Sequence, residues 1–424
     1  MSAASTMLPT PTVNRLPFLA LFTANAVSLV GNGITALAIP WFVLQTTGSA
    51  SQMGITAAAG LIPYILVSVL GGTAVDRLGH KRASVAADLA SGLTVAAIPL
   101  LYQTVGLPFW TLLLLVFLGA LLDAPGNAAR TSLVPDLAAL GRIPLERANG
   151  ASQATSSLAA LIGPALAGVL IAALGTSTVL WIDAGTFAFS ALAVALAVPS
   201  GVRLAGEERG RYLDEVREGW RLLWSDRLLR AITLTAAVAN AVGAPLVTVI
   251  LPVYAERAFA DVQALGTMVA TFGGGSLAGA VLYSIAGHRL PRRRTQAAAF
   301  TLVALPHWLL IVQPSVAVAT GALLVIGIGA GIVNPLIMTV FQERVPAEYR
   351  ARVFGAVLAV AMIAAPLGVL VAGPLIEAVG LTSVIAGIAG LMLLVALSTA
   401  VNPAFHEMEA TPMLQRQDIT EVGL

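Results

Sequence analysis

The sequence predicts an all-α polytopic membrane protein, with twelve transmembrane helices arranged as two pseudo-symmetric six-helix bundles. Three observations lead there. Only 10% of the 424 residues are charged and 58% are hydrophobic, with a mean hydropathy of +0.88. A water-soluble chain carries about a quarter charged residues, so this composition requires repeated membrane spans. Apolar runs of about 20 residues, the length that crosses a bilayer as a helix, occur twelve times, and the punctuation between them repeats after the midpoint.

Residues 1–15 form an expected cytoplasmic tail, because Met1 to Asn14 is polar, uncharged and broken by Pro9 and Pro11. The first span then acts as its own uncleaved insertion signal. The N-terminal bundle, 16–200, is predicted to run Leu16–Thr46, Gln52–Val75, Ala83–Gln103, Pro108–Ala129, Ala148–Leu174 and Val179–Pro199. The C-terminal bundle, 228–402, is predicted as Leu228–Ala255, Leu265–Gly287, Thr295–Val312, Ser315–Phe341, Ala351–Ala378 and Thr382–Val401. Between them, 201–227 is a charged linker in which Tyr212, Val216, Trp220, Leu223 and Trp224 recur at helical spacing, as in a helix lying in the membrane interface. A second tail, 403–424, is expected to be cytoplasmic, and its acidic stretch from Phe405 onward to be disordered.

Topology follows from the basic residues. With both termini cytoplasmic, every one of the 23 Lys and Arg except Arg257 falls on the inner side. The opposite loops near Thr47, Val105, Thr176, Pro314 and Leu381 hold none, which is a strong positive-inside signal for the cytoplasmic membrane.

The halves echo each other in order. Asn25 within Ala-Asn-Ala-Val is answered by Asn240, Pro40 by Pro252, Arg77-Leu78 by Arg289-Leu290, Pro125 to Pro135 by Pro335 to Pro346, and Gly163-Pro164 by Ala365-Pro366. Several matches in one order indicate a duplicated six-helix unit, whose seam is the natural place for a cavity.

The segment Gly72-Thr-Ala-Val-Asp76-Arg77-Leu-Gly79-His80-Lys81-Arg82 has chemistry suited to a tight turn between spans two and three. Gly72 allows close helix approach, Asp76 can cap the next turn, Gly79 permits a positive φ, and the basic group anchors the turn at the cytoplasmic surface. Read as G-x-x-x-D-R-x-G-x-[KR]-[KR], it resembles the corresponding loop of the major facilitator superfamily, a family of polytopic transporters. Pro125-Gly-Asn-Ala-Ala-Arg130-Thr-Ser-Leu-Val-Pro135-Asp136 and Glu146-Arg147-Ala148-Asn149-Gly150 resemble its bacterial drug and siderophore exporters, the group related to enterobactin and macrolide efflux proteins. Gly150, Gly163, Pro164 and Gly168 are similar to the fifth-helix motif of its antiporters, with Ala159 and Ala167 in place of two glycines.

The resemblance implies a secondary active transporter that exports hydrophobic or amphipathic small molecules by alternating access, coupled to protons. Asp123 is expected to latch the gating loop, with Arg130, His80 and Lys81 in reach; protonation for coupling is its alternative role, shared with Asp183. Asp88, Asp183 and Glu377 otherwise read as solvated or capping groups at span ends. Two departures weigh against proton coupling: Asn32 stands where relatives often have an acid, and span four lacks a mid-helix arginine. Asn25, Asn32, Trp41, Tyr64, Gln153, Asn240, Phe272 and Asn334 are the candidate cavity residues; the amides could equally bridge helices.

Cysteine is absent, and no histidine pair has metal-ligand spacing, so no metal or cofactor is expected. No Ser/His/Asp grouping or nucleotide-binding glycine loop appears, which disfavours an enzyme or an ATP-driven pump. The expected partners are an amphipathic small molecule, protons and the bilayer, with no nucleic acid and a monomeric chain. A lipid or lysolipid translocator and a non-transporting sensor or scaffold are the alternatives on this fold.

Overall fold

A computed structural model describes residues 14–70, 78–199, 212–346 and 349–409. Six helices come first: α1 (Leu16–Thr47), α2 (Ala50–Leu70), α3 (His80–Thr104), α4 (Phe109–Leu140), α5 (Leu145–Leu174) and α6 (Thr176–Ala197). The short α7 (Tyr212–Ser225) follows, then α8 (Arg227–Pro245) and α9 (Leu251–Phe259), which one wide turn at Leu246–Ile250 joins into a single span. The remainder is α10 (Val262–Ala286), α11 (Arg292–Ile311), α12 (Val316–Arg344), α13 (Arg350–Val379) and α14 (Leu381–Val401). Among the described residues there is no strand.

Eleven of these spans are long and apolar enough to cross a bilayer. The twelfth expected span, α11, is 20 residues long and opens on Arg292, Arg293 and Arg294, with His307 further in, so its length and composition alone mark it weakly. Its packing against α12 and α14 nevertheless places it inside the bundle.

The contacts repeat as the sequence echoes do. In the first half α1 packs on α5, α2 on α4, and α3 on α4 and α6; in the second α8 packs on α13, α10 on α12, and α11 on α12 and α14. Between the halves the main contacts are α2 with α13 and α5 with α10, which exchange under the same pseudo-two-fold operation. The turn from α5 to α6 uses Gly175 at φ 78°, and the turn from α13 to α14 uses Gly380 at φ 86°, with ψ 156° and 153°. That backbone region is open only to glycine, so the two turns are one solution used twice.

The seam is tightest at the face opposite the basic loops. There a Cβ on Gly373 would lie 2.3 Å from the Ala50 carbonyl oxygen, and one on Gly168 2.7 Å from the Gly266 Cα. Small residues let the backbones of the two halves touch.

Three expectations change. Helix α4 continues to Leu140 rather than stopping at Ala129, so Arg130 sits inside it; span four does carry a buried arginine. The tail does not start at Phe405: Pro403–Glu409 is a 3-10 segment docked on α8 and α11, with Phe405 and Met408 buried, because two apolar side chains fill the gap there. Helix α7 lies against α13, with Leu223 buried and Trp224 exposed, so its apolar face is partly spent on protein rather than on lipid. Of the gating loop, Gly72, Asp76 and Arg77 lie outside the described residues.

Asp226 organises the basic end of the second half. Its Oδ1 accepts from the Leu228 and Leu229 amides at 2.8 and 2.9 Å, capping α8, while Oδ2 accepts from Arg344 Nε at 2.9 Å. Arg344 Nη2 also donates to Glu407 of the docked tail at 2.5 Å. Asp226→Ala is expected to destabilise the protein by about 1–2 kcal/mol, read as a lower thermal transition in detergent. Asp226→Asn, which keeps the cap, should lose less; equal stability of all three proteins would refute this role.

Candidate functional site

The first half encloses a polar network at the depth of its spans. Arg130 on α4 forms an ion pair with Asp88 on α3, and its Nη2 stands 3.5 Å from Asp123 Oδ1. Its Nε donates to Asn25 Oδ1 on α1 at 3.2 Å. Asp123 Oδ2 accepts from Asn32 Nδ2 at 3.1 Å and from the Tyr64 hydroxyl at 2.7 Å. Ser190 on α6 donates to Asp88 at 2.7 Å. Arg130 and Asp123 are seven residues apart on one helix, two turns along the same face, so the pairing follows from helix geometry.

A second carboxylate group lies close by. Asp183 on α6 is fully buried and accepts from Thr35 at 2.5 Å and from Thr186 at 3.0 Å. A Cβ on Gly31 would fall 2.2 Å from Asp183 Oδ1, and one on Gly33 3.1 Å from the Gly163 Cα. Gly31 and Gly33 thus bring α1 against α6 and α5 at once, and Asn32 between them reaches Asp123.

Asp123 and Asp183 share a cavity of about 220 Å³ with Asn32, Thr35, Thr56 and Tyr64; its other walls, such as Ile39, Val95 and Phe187, are mainly apolar. A larger cavity of about 540 Å³ lies toward the basic face between α1, α4 and α5. Its polar lining is Asn25, Asn127, Arg130, Thr131, Asn149, Ser152, Gln153 and Ser156. Asn240 and Tyr64 line a third cavity between α2, α8 and α13.

Several predicted residues fall elsewhere. Trp41 is 2% exposed and belongs to the apolar core, so it lines no cavity. Phe272 packs half-buried against that core, its backbone at Gly327 of α12, and Asn334 is exposed on α12 outside the cavities described. Asn240 donates to the Ala236 carbonyl of its own helix and bridges nothing. Asp88 and Asp183 are fully buried and hydrogen-bonded, not solvated at span ends. Asp123 finds its cation on its own helix instead of at His80, Lys81 or Arg82 of the loop. Gly79 holds φ 80° immediately before α3. In the antiporter-like motif, Gly163 packs on Gly33 and Gly168 on Gly266 across the seam; Pro164 lies inside α5, and a Cβ on Gly150 would meet open space.

Sequence reasoning named Gln153 alone of the α5 polar face and missed the rest of it and the seam contact at Glu377. Asn149, Ser152, Gln153 and Ser156 recur at i, i+3, i+4 and i+7, a pattern readable in the sequence. Glu377 on α13 accepts from Ser49 Oγ at 2.8 Å, Ser51 N at 2.9 Å and Ser51 Oγ at 2.5 Å, all from the first half. Nothing local signals that pairing. Among the described residues there is no cluster of three or more His, Cys, Asp or Glu fit to hold a metal ion.

Two pseudo-symmetric helical bundles, a seam closed at one face and a charged network buried in one half define a multi-pass membrane protein of the transporter type. The chain belongs to the Major Facilitator Superfamily, whose family model matches residues 21–259 and 236–415. It is 34% identical over 409 residues to the multidrug efflux pump Tap of Mycobacterium tuberculosis, covering 94% of this chain and 96% of that one. It is 23% identical over 375 residues to macrolide efflux protein A of Streptococcus pyogenes, covering 86% and 91%. The fold is similar to the crystal structure of the nucleoside transporter NupG, with TM-score 0.73, 13% identity and 91% and 98% of the two chains covered.

Proposed function

We propose that this protein is a proton-coupled exporter of hydrophobic or amphipathic small molecules, working by alternating access in the bacterial cytoplasmic membrane. The units that rock are 16–200 and 228–402, with 201–227 as the cytoplasmic linker and both termini on the basic, inner face. The observation that carries this reading is the charge count of the buried network. Three carboxylates, Asp88, Asp123 and Asp183, are buried in the first half beside one buried guanidinium, Arg130, which pairs with Asp88 and Asp123, while Asp183 has only the hydroxyls of Thr35 and Thr186 among the described residues. An excess of buried anions is costly, and a proton or a cationic group entering the cavity offsets it. Each charge moved inward across the membrane supplies about 2.3 kcal/mol per 100 mV. The similarity to Tap and to macrolide efflux protein A supports outward movement of drugs. Asp123 and Asp183 are the coupling candidates because both line the same cavity.

Proteoliposomes with an imposed proton gradient test it. Gradient-dependent movement of at least one compound from a panel of drugs, siderophores and lysolipids is expected, and movement of lysolipid alone would replace export of drugs with lipid translocation. Asp123→Asn keeps hydrogen-bonding atoms toward Asn32 and Tyr64, so expression should hold while turnover falls by about tenfold or more, equivalent to about 1.4 kcal/mol. Unchanged turnover in that variant would remove Asp123 from the mechanism.

A further inference from the structure

The larger cavity carries chemistry that the coupling network does not use. Asn149, Gln153 and Ser156 are exposed on α5, on the same helix face as Ala159, Gly163 and Ala167, which lie further along and are buried against neighbouring helices. Amides at bilayer depth do not face lipid, because each unmet donor or acceptor there costs several kcal/mol. Nor do these bridge helices: among the described residues the side chains of Asn127, Asn149 and Gln153 make no hydrogen bond. They therefore face the cavity with their donors and acceptors available. Among the described residues the one charged group lining it is Arg130, which is 2% exposed and already engaged by Asp88, Asp123 and Asn25. On the facing wall Phe18 and Phe22 on α1 stack at 6.2 Å with their rings 18° apart.

We infer that this cavity is a binding site for an uncharged, hydroxyl-rich group of the transported molecule, such as a glycosyl group, held between the amides of α4 and α5 and the phenyl rings of α1. Amides carry both donors and acceptors, which suits hydroxyls, while aromatic faces take the C–H side of a sugar ring. A volume of about 540 Å³ accommodates such a group, within the usual range for ligand sites. The absence of an accessible charge among the described lining disfavours ammonium, sulfate or phosphate groups. The inference rests on the exporter reading for its notion of cargo, and it deepens that reading by naming the part of the cargo this wall recognises.

The chain has no cysteine, so a single Ser156→Cys variant in nanodiscs reports the cavity through labelling by a soluble thiol reagent. Three probes share a phenyl group and differ in the polar one: phenyl β-glucoside, phenyltrimethylammonium and phenyl sulfate. The glucoside is expected to protect Ser156→Cys at a concentration about tenfold lower than either charged probe. Adding Asn149→Leu or Gln153→Met should raise its half-protection concentration about 3- to 10-fold, the loss of one or two neutral hydrogen bonds, with the charged probes unmoved. Variants that run monodisperse on size exclusion and label at the parental rate without ligand are taken as folded. Equal or better protection by a charged probe, or no change in the α5 variants, would overturn the site. Gradient-driven flux is measured in parallel. Flux without glucoside protection removes this site and leaves the exporter, whereas protection without flux supports the site and removes the exporter.

Discussion

Arg130→Met is expected to be the most damaging single change in this protein. It leaves Asp88 and Asp123 buried with no cation, and breaking a buried pair by removing one partner costs about 3–5 kcal/mol. Asn25 and Ser190 remain as neutral neighbours and do not replace the charge. The expected result is a sharp fall in yield and in the thermal transition of the purified protein. Arg130→Lys should fall between, because a point charge cannot serve Asp88, Asp123 and Asn25 at once as a guanidinium does. The combination of Arg130→Met with Asp88→Asn and Asp123→Asn is the informative control. It removes all three charges, so stability should return while transport does not. Wild-type stability in the single variant would mean that the network is not paired as described.

Glu377→Ala should shift the protein toward the state open at the face opposite the basic loops. Glu377 is the acceptor for Ser49 and both polar atoms of Ser51, and these bonds tie α13 to the start of α2 across the seam. Hydrogen bonds to charged groups reach about 1.5–3 kcal/mol each when dry, and less where water competes. Glu377 is exposed, so a total of about 1–2 kcal/mol is expected, or about a tenfold change in the ratio of the two states. An Ala57→Cys reporter in the cavity shared by Asp123 and Asp183 should label faster from that face in the Glu377→Ala background, and Ser49→Ala with Ser51→Ala should reproduce it. Glu377→Gln should fall between, since it keeps an acceptor oxygen. Unchanged labelling in all three would show that the glycine contacts alone close the seam.

The two expectations differ in how far they could be anticipated. Arg130 and Asp123 stand two turns apart on one helix, and the sequence already puts Arg130 in reach of Asp123, beside His80 and Lys81 and just past the expected end of the span. The charge at Arg130 suggested the end of a span, and α4 was read as stopping at Ala129. It runs on to Leu140 because the guanidinium turns inward to buried carboxylates and does not need the membrane surface. Asp88 was misread for a related reason. With α3 beginning at His80 it lies in the third turn of the helix, and its partners are 42 and 102 residues away on α4 and α6. Periodicity says which face a residue occupies, not which distant helix covers it.

Composition, span length, the sidedness of arginine and the repeated order of Asn, Pro and Gly positions were enough to establish a membrane-embedded duplicated six-helix unit, because these are averages or local rules that a helix in lipid must obey. Which carboxylates are buried, which amides stay unpaired beside a cavity, and which serines bind Glu377 were decided only by tertiary structure. Those depend on glycine-mediated approaches between helices far apart in the chain, at Gly31, Gly33 and Gly373, where a single Cβ would push the polar partners out of hydrogen-bonding distance.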